Sequence, residues 1–350
     1  MNTMSNTNPS KIITVSNKTI GGNQTFVIAE IGSNHNQSLE LAYQSIDAAV
    51  EAGADAVKFQ SLNIKELYYK PSKQIVELHA KIDLEEKWHY LLNEYCSKRN
   101  VLFFSSPTYL KSLDILEDLN VSLYKLASAQ IGTFPQLVRK VAKTGKPVIL
   151  STGIVSYAEL ENVINIFIEE GNPNYIILHC NSLYPTPYEK VNLQLINTYK
   201  QMFGCVVGFS DHTDGIAVPI GAVALGAKVI EKHFAISRNL PVPDAAYSLE
   251  PQEFKEMVNG IRAVEHACGI DYRSQILPQE MEFKQKILYR LVLNRNIKKG
   301  EVIFPEYYDY LRYPEGIDSR NKKAFTKQIA TQDLKAGVLL HFSDLLEFSE

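Results

Sequence analysis

Apolar residues recur along this chain in short, nearly unbroken runs separated by longer stretches of helical spacing. The runs are FVIAEI (26–31), AVKFQ (56–60), VLFFSS (101–106), LYKLAS (123–128), PVILST (147–152), YIILHC (175–180), CVVGFS (205–210) and KVIEKHF (228–234). Continuous apolar runs of this length suit parallel strands covered by helices. Between them lie amphipathic segments such as LELAYQSIDAAVEAG and YAELENVINIFIEEG, each closed by a glycine that can cap a helix. Eight strand–helix units in series predict a closed (β/α)₈ TIM barrel. An open doubly wound sheet is the rival, but the chain has no glycine-rich GxGxxG turn to favour it. The stretch 61–85 is long for a strand-to-helix connection, and such loops tend to be functional.

Beyond residue 268 the pattern changes. GIDYRSQILPQEMEF reads as a linker, and the pieces RNIKKGEVI and QDLKAGVLL resemble two copies of one turn-and-strand unit. The expected organisation is an N-terminal segment (1–20), a barrel (21–270), a linker (271–284) and a small β-rich domain (285–350). A module that small has a marginal core and is expected to dock against a barrel.

Composition narrows the function classes. The chain has 350 residues, 45% hydrophobic and 21% charged, with a net charge of −3. No basic excess points to nucleic acid or an anionic membrane. Cys96, Cys180, Cys205 and Cys268 form no CxxC pair, which argues for a reducing compartment and against structural zinc. The polar N-terminus lacks a signal-peptide core, and no apolar run is long enough to span a membrane, so a cytoplasmic protein is expected.

Barrel chemistry sits at the C-terminal ends of the strands. Those ends carry Glu30; Lys58 and Gln60; Ser105 and Ser106; Lys125, Ser128 and Gln130; Ser151 and Thr152; Ser182 and Tyr184; Ser210, Asp211 and His212; and Glu231 and His233. Two lysines and several hydroxyls on one rim suit a small, highly anionic substrate such as a phosphorylated carboxylate. His212 and His233 end neighbouring strands and could share a metal or stand independently. Each lysine could instead pair with a carboxylate for structure. His35, His179 and the cysteines read as structural or merely nearby.

The motifs IAEIGSNHNQS, AGADAVKFQ, FFSSP, YKLAS, GKPVILSTG, LHCNSLYPTPYE, GFSDHTDG, GAKVIEKHF and PDAAYSLEP resemble the sialic acid synthase family, the nonulosonic acid synthases acting on phosphoenolpyruvate. NIKKGEVI, LRYPEGI and DLKAGVLL resemble that family's antifreeze-like (SAF) domain. The resemblance covers nearly the whole chain. It implies condensation of phosphoenolpyruvate with an N-acylated mannosamine-type sugar by a transferase that forms a carbon–carbon bond. The sugar could equally be one that yields legionaminic- or pseudaminic-type acids.

Carried over by motif, His212 and His233 would hold a divalent metal, commonly Mn²⁺, with Mg²⁺ or Co²⁺ as alternatives. Lys58, Ser106, Lys125, Ser128, Ser151, Ser182 and Ser210 would surround phosphoenolpyruvate. Glu30, Gln60, Gln130, Tyr184 and Asp244 would face the sugar, with Glu30 as general base. Arg312 would reach the partner's site in a domain-swapped homodimer. The chain departs from the family pattern at Gln130, usually acidic, and at Ser106 and Ser182, usually threonine and asparagine. Val242 replaces a glycine, and RYPEG stands for RPG-x-G. Two other readings are a Schiff-base pyruvate aldolase using Lys125 or Lys58 and a non-catalytic sugar-acid sensor.

Overall fold

A computed structural model describes residues 8–269, 273 and 275–348. Residues 1–7 of the expected N-terminal segment, 270 at the expected barrel end, 271, 272 and 274 of the expected linker, and 349–350 of the tail lie outside the described residues. The chain divides into two compact units, Met1–Gly269 and Ile270–Glu350.

The first unit contains the eight parallel strands: β1 Phe26–Gly32, β2 Ala56–Ser61, β3 Leu102–Pro107, β4 Tyr124–Leu126, β5 Val148–Ser151, β6 Tyr175–Cys180, β7 Val206–Asp211 and β8 Val229–His233. Hydrogen-bonded neighbours run β3-β2-β1-β8-β7-β6-β5-β4, so the first and last strands pair and the sheet curls into a TIM-like barrel. Strand β4 is shorter than its apolar run because Ser128 already opens a helix, Ser128–Thr133. The expected helical stretches form Leu39–Glu51 and Tyr157–Glu169, each with a serine at its N-cap. The glycines that close these stretches, Gly53 and Gly171, have φ of +92° and +70°. The long connection after β2 carries two helices of its own, Ile64–Leu67 and Lys73–Ile82.

Strand alternation sorts the side chains into two layers. Val27, Ala29, Ile31, Val57, Phe59, Phe103, Tyr124, Leu126, Val148, Leu150 and Ile177 pack outward into one large core with the helices. Phe26, Ile28, Ala56, Phe104, Leu123, Ile149, Ile176, Leu178, Val206 and Val229 point inward. An N-terminal hairpin, Ile13–Val15 with Lys18–Ile20, adds Ile13, Val15 and Ile20 to that inner cluster and closes it at the strands' N-terminal end. Each inward column is therefore apolar at the bottom and ends at the top in a polar residue. That change of polarity along the columns defines the floor of the site.

The second unit is built separately. A helix, Pro278–Ile287, occupies part of the stretch expected to be a plain linker. Strand Tyr289–Leu293 pairs antiparallel with Tyr308–Arg312, and Val302–Ile303, Gln328–Ala330 and Leu345–Glu347 form a second antiparallel sheet. Leu291, Leu293, Ile303, Tyr308, Ile317 and Leu340 belong to its own core. The two similar sequence pieces meet: Ile297 N donates to Leu334 O at 2.9 Å and Leu334 N to Ile297 O at 2.8 Å. No helix among the described residues is long and apolar enough to cross a membrane.

Candidate active site

At the C-terminal ends of the strands, a cavity of about 300 Å³ is lined by Glu30, Lys58, Gln60, Ser106, Lys125, Ser128, Ser151, Ser182, Tyr184, Ser210, His212, Glu231 and His233, with Ala127, Ala129, Ile154 and Cys180. Glu30, Lys58, Gln60, Ser106, Lys125, Ser151, Ser210, Glu231 and His233 occupy inward strand positions above the apolar floor, and Ser128, Ser182, Tyr184 and His212 follow the ends of β4, β6 and β7. Ser105, Thr152 and Asp211 have the opposite parity and face away. Ser105 Oγ lies 2.8 Å from Ser61 Oγ and donates to Phe59 O, and Thr152 Oγ1 donates to Leu178 O.

Four buried charges organise the floor. Lys125 Nζ donates to both oxygens of Glu231, at 2.6 and 2.7 Å. Lys58 Nζ lies 2.6 Å from Glu30 Oε2 and 3.7 Å from Glu231 Oε2. Ser210 Oγ donates to Glu231 Oε1 at 2.9 Å, and Gln60 Nε2 to Glu30 Oε1 at 2.7 Å. Two ammoniums and two carboxylates balance, which makes their burial affordable. Burial alone would raise the Glu231 carboxyl, but Lys125 and Lys58 pull it well below the ordinary range. Burial dominates at Glu30, whose pKa is raised despite Lys58, and no donor is in good hydrogen-bond geometry with its Oε2. Burial works against the Lys58 charge, and Glu231 and Glu30 outweigh it, so its pKa is raised; Lys125 is lowered, chiefly by burial. The hydroxyl of Ser106 is buried without a partner, while Ser128 Oγ accepts from Gly153 N at 2.9 Å.

Above this floor stand the two histidines. Their ring centroids are 5.5 Å apart, and Tyr184 packs on His212 at 4.3 Å. His212 Nδ1 engages Asn181 O at 2.6 Å, which leaves Nε2 as its lone-pair nitrogen. The Nδ1 of His233 is buried without a partner. Burial pushes both imidazoles down to about 4, keeping them neutral near pH 7.

Asp244 comes from a turn, Pro243–Tyr247, and accepts from Ser33 Oγ at 2.9 Å and from the Tyr247 hydroxyl. Gly32, at φ +56°, lets Asp244 approach the barrel strands. A Cβ there would lie 3.1 Å from Glu30 Oε1 and 3.4 Å from both Asp244 Oδ2 and Gln60 Nε2. The three groups thus share one corner. Gln130 lies on helix Ser128–Thr133 outside the cavity lining, its Oε1 buried without a partner. Arg312 lies in the second unit on an exposed strand, its guanidinium 5.3 Å from the Tyr289 ring centroid.

The sequence alone assigns no role to three residues at this site. Glu231, in sequence simply a strand end, joins both lysines. Its signal is parity and charge: it points inward two residues before His233, and with Glu30 it balances Lys58 and Lys125. Cys180, read as structural or nearby, lines the cavity 3.4 Å from Ser128 Oγ. Tyr247 packs edge-on against His233 at 5.1 Å.

Sequence and structural comparisons decide the family. Residues 45–272 match the NeuB family. The chain belongs to the NeuB family. It is 36% identical over 332 residues to an N,N'-diacetyllegionaminic acid synthase of Campylobacter jejuni, covering 91% of this chain and 99% of that one. A pseudaminic acid synthase of another Campylobacter jejuni strain is also 36% identical, covering 92% and 96%. A crystal structure of N-acetylneuraminic acid synthetase from Leptospira borgpetersenii superposes with a TM-score of 0.73 at 36% identity, covering 79% of this chain and 97% of that one. Relatives named as synthases of two different acids are thus equally identical to this chain.

Proposed function

We propose that this protein is a nonulosonic acid synthase joining C3 of phosphoenolpyruvate to the aldehyde carbon of an open-chain, N-acylated mannosamine-type sugar. Its reaction is a carbon–carbon bond-forming transfer that consumes water and releases phosphate. The observation that carries this reading is the buried lysine–carboxylate floor beneath two neutral histidines, in a chain of the NeuB family.

The donor set fits a divalent cation. His212 offers one nitrogen with the other fixed, His233 offers a buried nitrogen lacking a partner, and both are neutral. Among the described residues no group of three His, Cys, Asp or Glu side chains is gathered to hold a metal, so the two histidines are the side chains that would hold the ion. Held by His212 and His233, a divalent ion (Mn²⁺, with Mg²⁺ or Co²⁺ as alternatives) would supply Lewis acidity toward a carbonyl oxygen.

The chain's own residues supply the remainder. Lys58 and Lys125 hold the phosphate and carboxylate of phosphoenolpyruvate by exchanging some carboxylate contact for ligand contact. Ser106, Ser128, Ser151 and Ser182 donate hydrogen bonds that fix its orientation, and Ser210 joins them by turning its hydroxyl from Glu231 to the ligand. Gln60, Tyr184 and Asp244 hold the sugar beside Glu30, and Gln130 is assigned to the same side. Once C3 has attacked the aldehyde carbon, C2 becomes electrophilic and water adds there; of the two protons that water gives up, one ends on the new alkoxide oxygen and the other on the departing phosphate. Glu30, with its raised pKa, accepts that water's proton. The tetrahedral centre at C2 then expels phosphate by C–O cleavage.

A cytoplasmic homodimer in which Arg312 serves the partner's site, with an antifreeze-like second unit, belongs to the same proposal. The aldolase reading is disfavoured by geometry: Lys125 Nζ is gripped by both oxygens of Glu231 and Lys58 Nζ lies against Glu30 Oε2, so neither amine is free to attack a carbonyl. The test is phosphate release from phosphoenolpyruvate with Mn²⁺ across N-acetylmannosamine, its 6-phosphate and a 2,4-diacetamido-trideoxy sugar. Release with one or more sugars is expected. Release with none, or a borohydride-trapped pyruvate adduct, overturns the assignment.

A further inference from the structure

We propose that Asp211 and Lys232 are positioning residues whose buried ion pair sets the spacing of His212 and His233 for a shared divalent cation; this rests on the metal reading above. Strand register places Lys232 directly opposite Asp211 on neighbouring strands β7 and β8. Each residue immediately precedes one of the histidines. By alternation the cavity receives Ser210, His212, Glu231 and His233, while Asp211 and Lys232 project to the opposite face. There Lys232 Nζ lies 2.6 Å from Asp211 Oδ2, with the two side chains 1% and 0% exposed.

The pair also controls the residue after His212. Thr213 N donates to Asp211 Oδ1 at 2.9 Å, Thr213 Oγ1 to Asp211 Oδ2 at 3.1 Å, and Lys232 Nζ to the Thr213 carbonyl. The peptide leaving His212 is therefore tied to the side chain that precedes His233. On its other side, the His212 carbonyl accepts from Thr186 N at 2.8 Å and its ring is held by Asn181.

Stability alone is a poor reason for such a pair, since burying two charges costs several kcal/mol per ion and apolar replacement is often neutral or stabilising. The strand ladder already joins β7 to β8. What the pair adds is a fixed offset between the two imidazole-bearing backbones. Metal ligation tolerates about ±0.2 Å in ligand distance, and loss of groups that orient ligands lowers metal affinity about 10- to 100-fold.

The test is Mn²⁺ titration of the full chain by calorimetry, with Mn²⁺ electron paramagnetic resonance, on wild type and an Asp211→Asn/Lys232→Met double variant. The double variant avoids an unpaired buried charge. Unfolding temperatures in chelator separate structural damage from loss of positioning. Asp55→Asn is the control: Asp55 pairs with Lys18 and Arg262 and hydrogen-bonds Val27 N, away from the cavity lining. The double variant is expected to fold and bind Mn²⁺ about 10- to 100-fold more weakly with an altered resonance line shape, whereas Asp55→Asn changes only the unfolding temperature. Equal Mn²⁺ affinity in wild type and double variant overturns the positioning role and leaves the metal reading standing. No Mn²⁺ binding by wild type removes both. Should the double variant not fold, Thr213→Val deletes one hydrogen bond to Asp211 without changing charge; a several-fold weaker Mn²⁺ affinity supports the proposal, and an unchanged one overturns it.

Discussion

Glu231→Gln is the most informative single change, because it removes charge from the centre of a balanced network while keeping nearly the same shape. Glu231 accepts two contacts from Lys125, one from Ser210, and lies 3.7 Å from Lys58. The substitution leaves two buried ammoniums facing one carboxylate. A charge pair at about 4 Å is worth roughly 4 kcal/mol at an effective dielectric of 20, and removing one partner of a buried pair costs about 3–5 kcal/mol net. At about 2–4 °C per kcal/mol for a unit of this size, the unfolding temperature should fall by roughly 6–20 °C. An anionic ligand restores the missing negative charge. Phosphoenolpyruvate should therefore raise the unfolding temperature of Glu231→Gln by more than that of wild type, even as turnover falls. Scanning calorimetry in chelator, with and without phosphoenolpyruvate, reads both effects. An unliganded unfolding temperature within about 2 °C of wild type, together with equal shifts on adding phosphoenolpyruvate, would refute the reasoning.

Three further outcomes are expected. Gly153→Ala places a Cβ 2.3 Å from Ser182 Oγ and 3.0 Å from Ser128 Oγ; KM for phosphoenolpyruvate should rise at least about tenfold, equivalent to about 1.4 kcal/mol, and steady-state kinetics with an unchanged KM would count against Ser128 and Ser182 as its contacts. Gly208→Ala meets Val229 O at 2.4 Å inside the barrel floor; overpacking should cost about 1–3 kcal/mol or more by urea denaturation, and a neutral effect would show that the floor can yield. Buried His35 has its pKa pushed down to about 4, chiefly by burial, so the unfolded chain binds a proton first as pH falls below about 6.5. Its contribution is fully present well above that pH and is lost toward pH 4, with about 1.6 kcal/mol gone between pH 6.5 and 5; denaturation of wild type and His35→Gln at both pH values checks whether the variant loses this slope.

The barrel was legible because all eight apolar runs are buried on both faces, which leaves a strong signal in sequence. Most strand boundaries differ from the apolar runs by a single residue, and the largest difference is at β4, where Ser128 starts a helix. The helix Pro278–Ile287 was missed within the expected linker because none of its residues is buried, so it carries no apolar stripe to read. At the rim, strand parity separates inward Ser106 from outward Ser105, and inward Ser151 from outward Thr152. A one-dimensional inventory of strand ends could not make that distinction without fixing the register.

Glu231 and Asp211 show what register adds to the chemistry. In sequence, SDHT and EKHF each place an acidic residue within two positions of a histidine, and the two acids look equivalent. In the barrel, the odd step between Asp211 and His212 sends Asp211 outward to Lys232. The even step between Glu231 and His233 brings Glu231 inward to Lys125 and Lys58. Each carboxylate therefore neutralises lysine on a different face of the same pair of strands. The inward group lies where an anionic substrate would compete for lysine, so removing its charge should alter ligand response. The outward group lies where no substrate reaches, so its removal should act through the histidines. Ligand-induced stabilisation and Mn²⁺ affinity consequently distinguish two acids that their motifs alone do not.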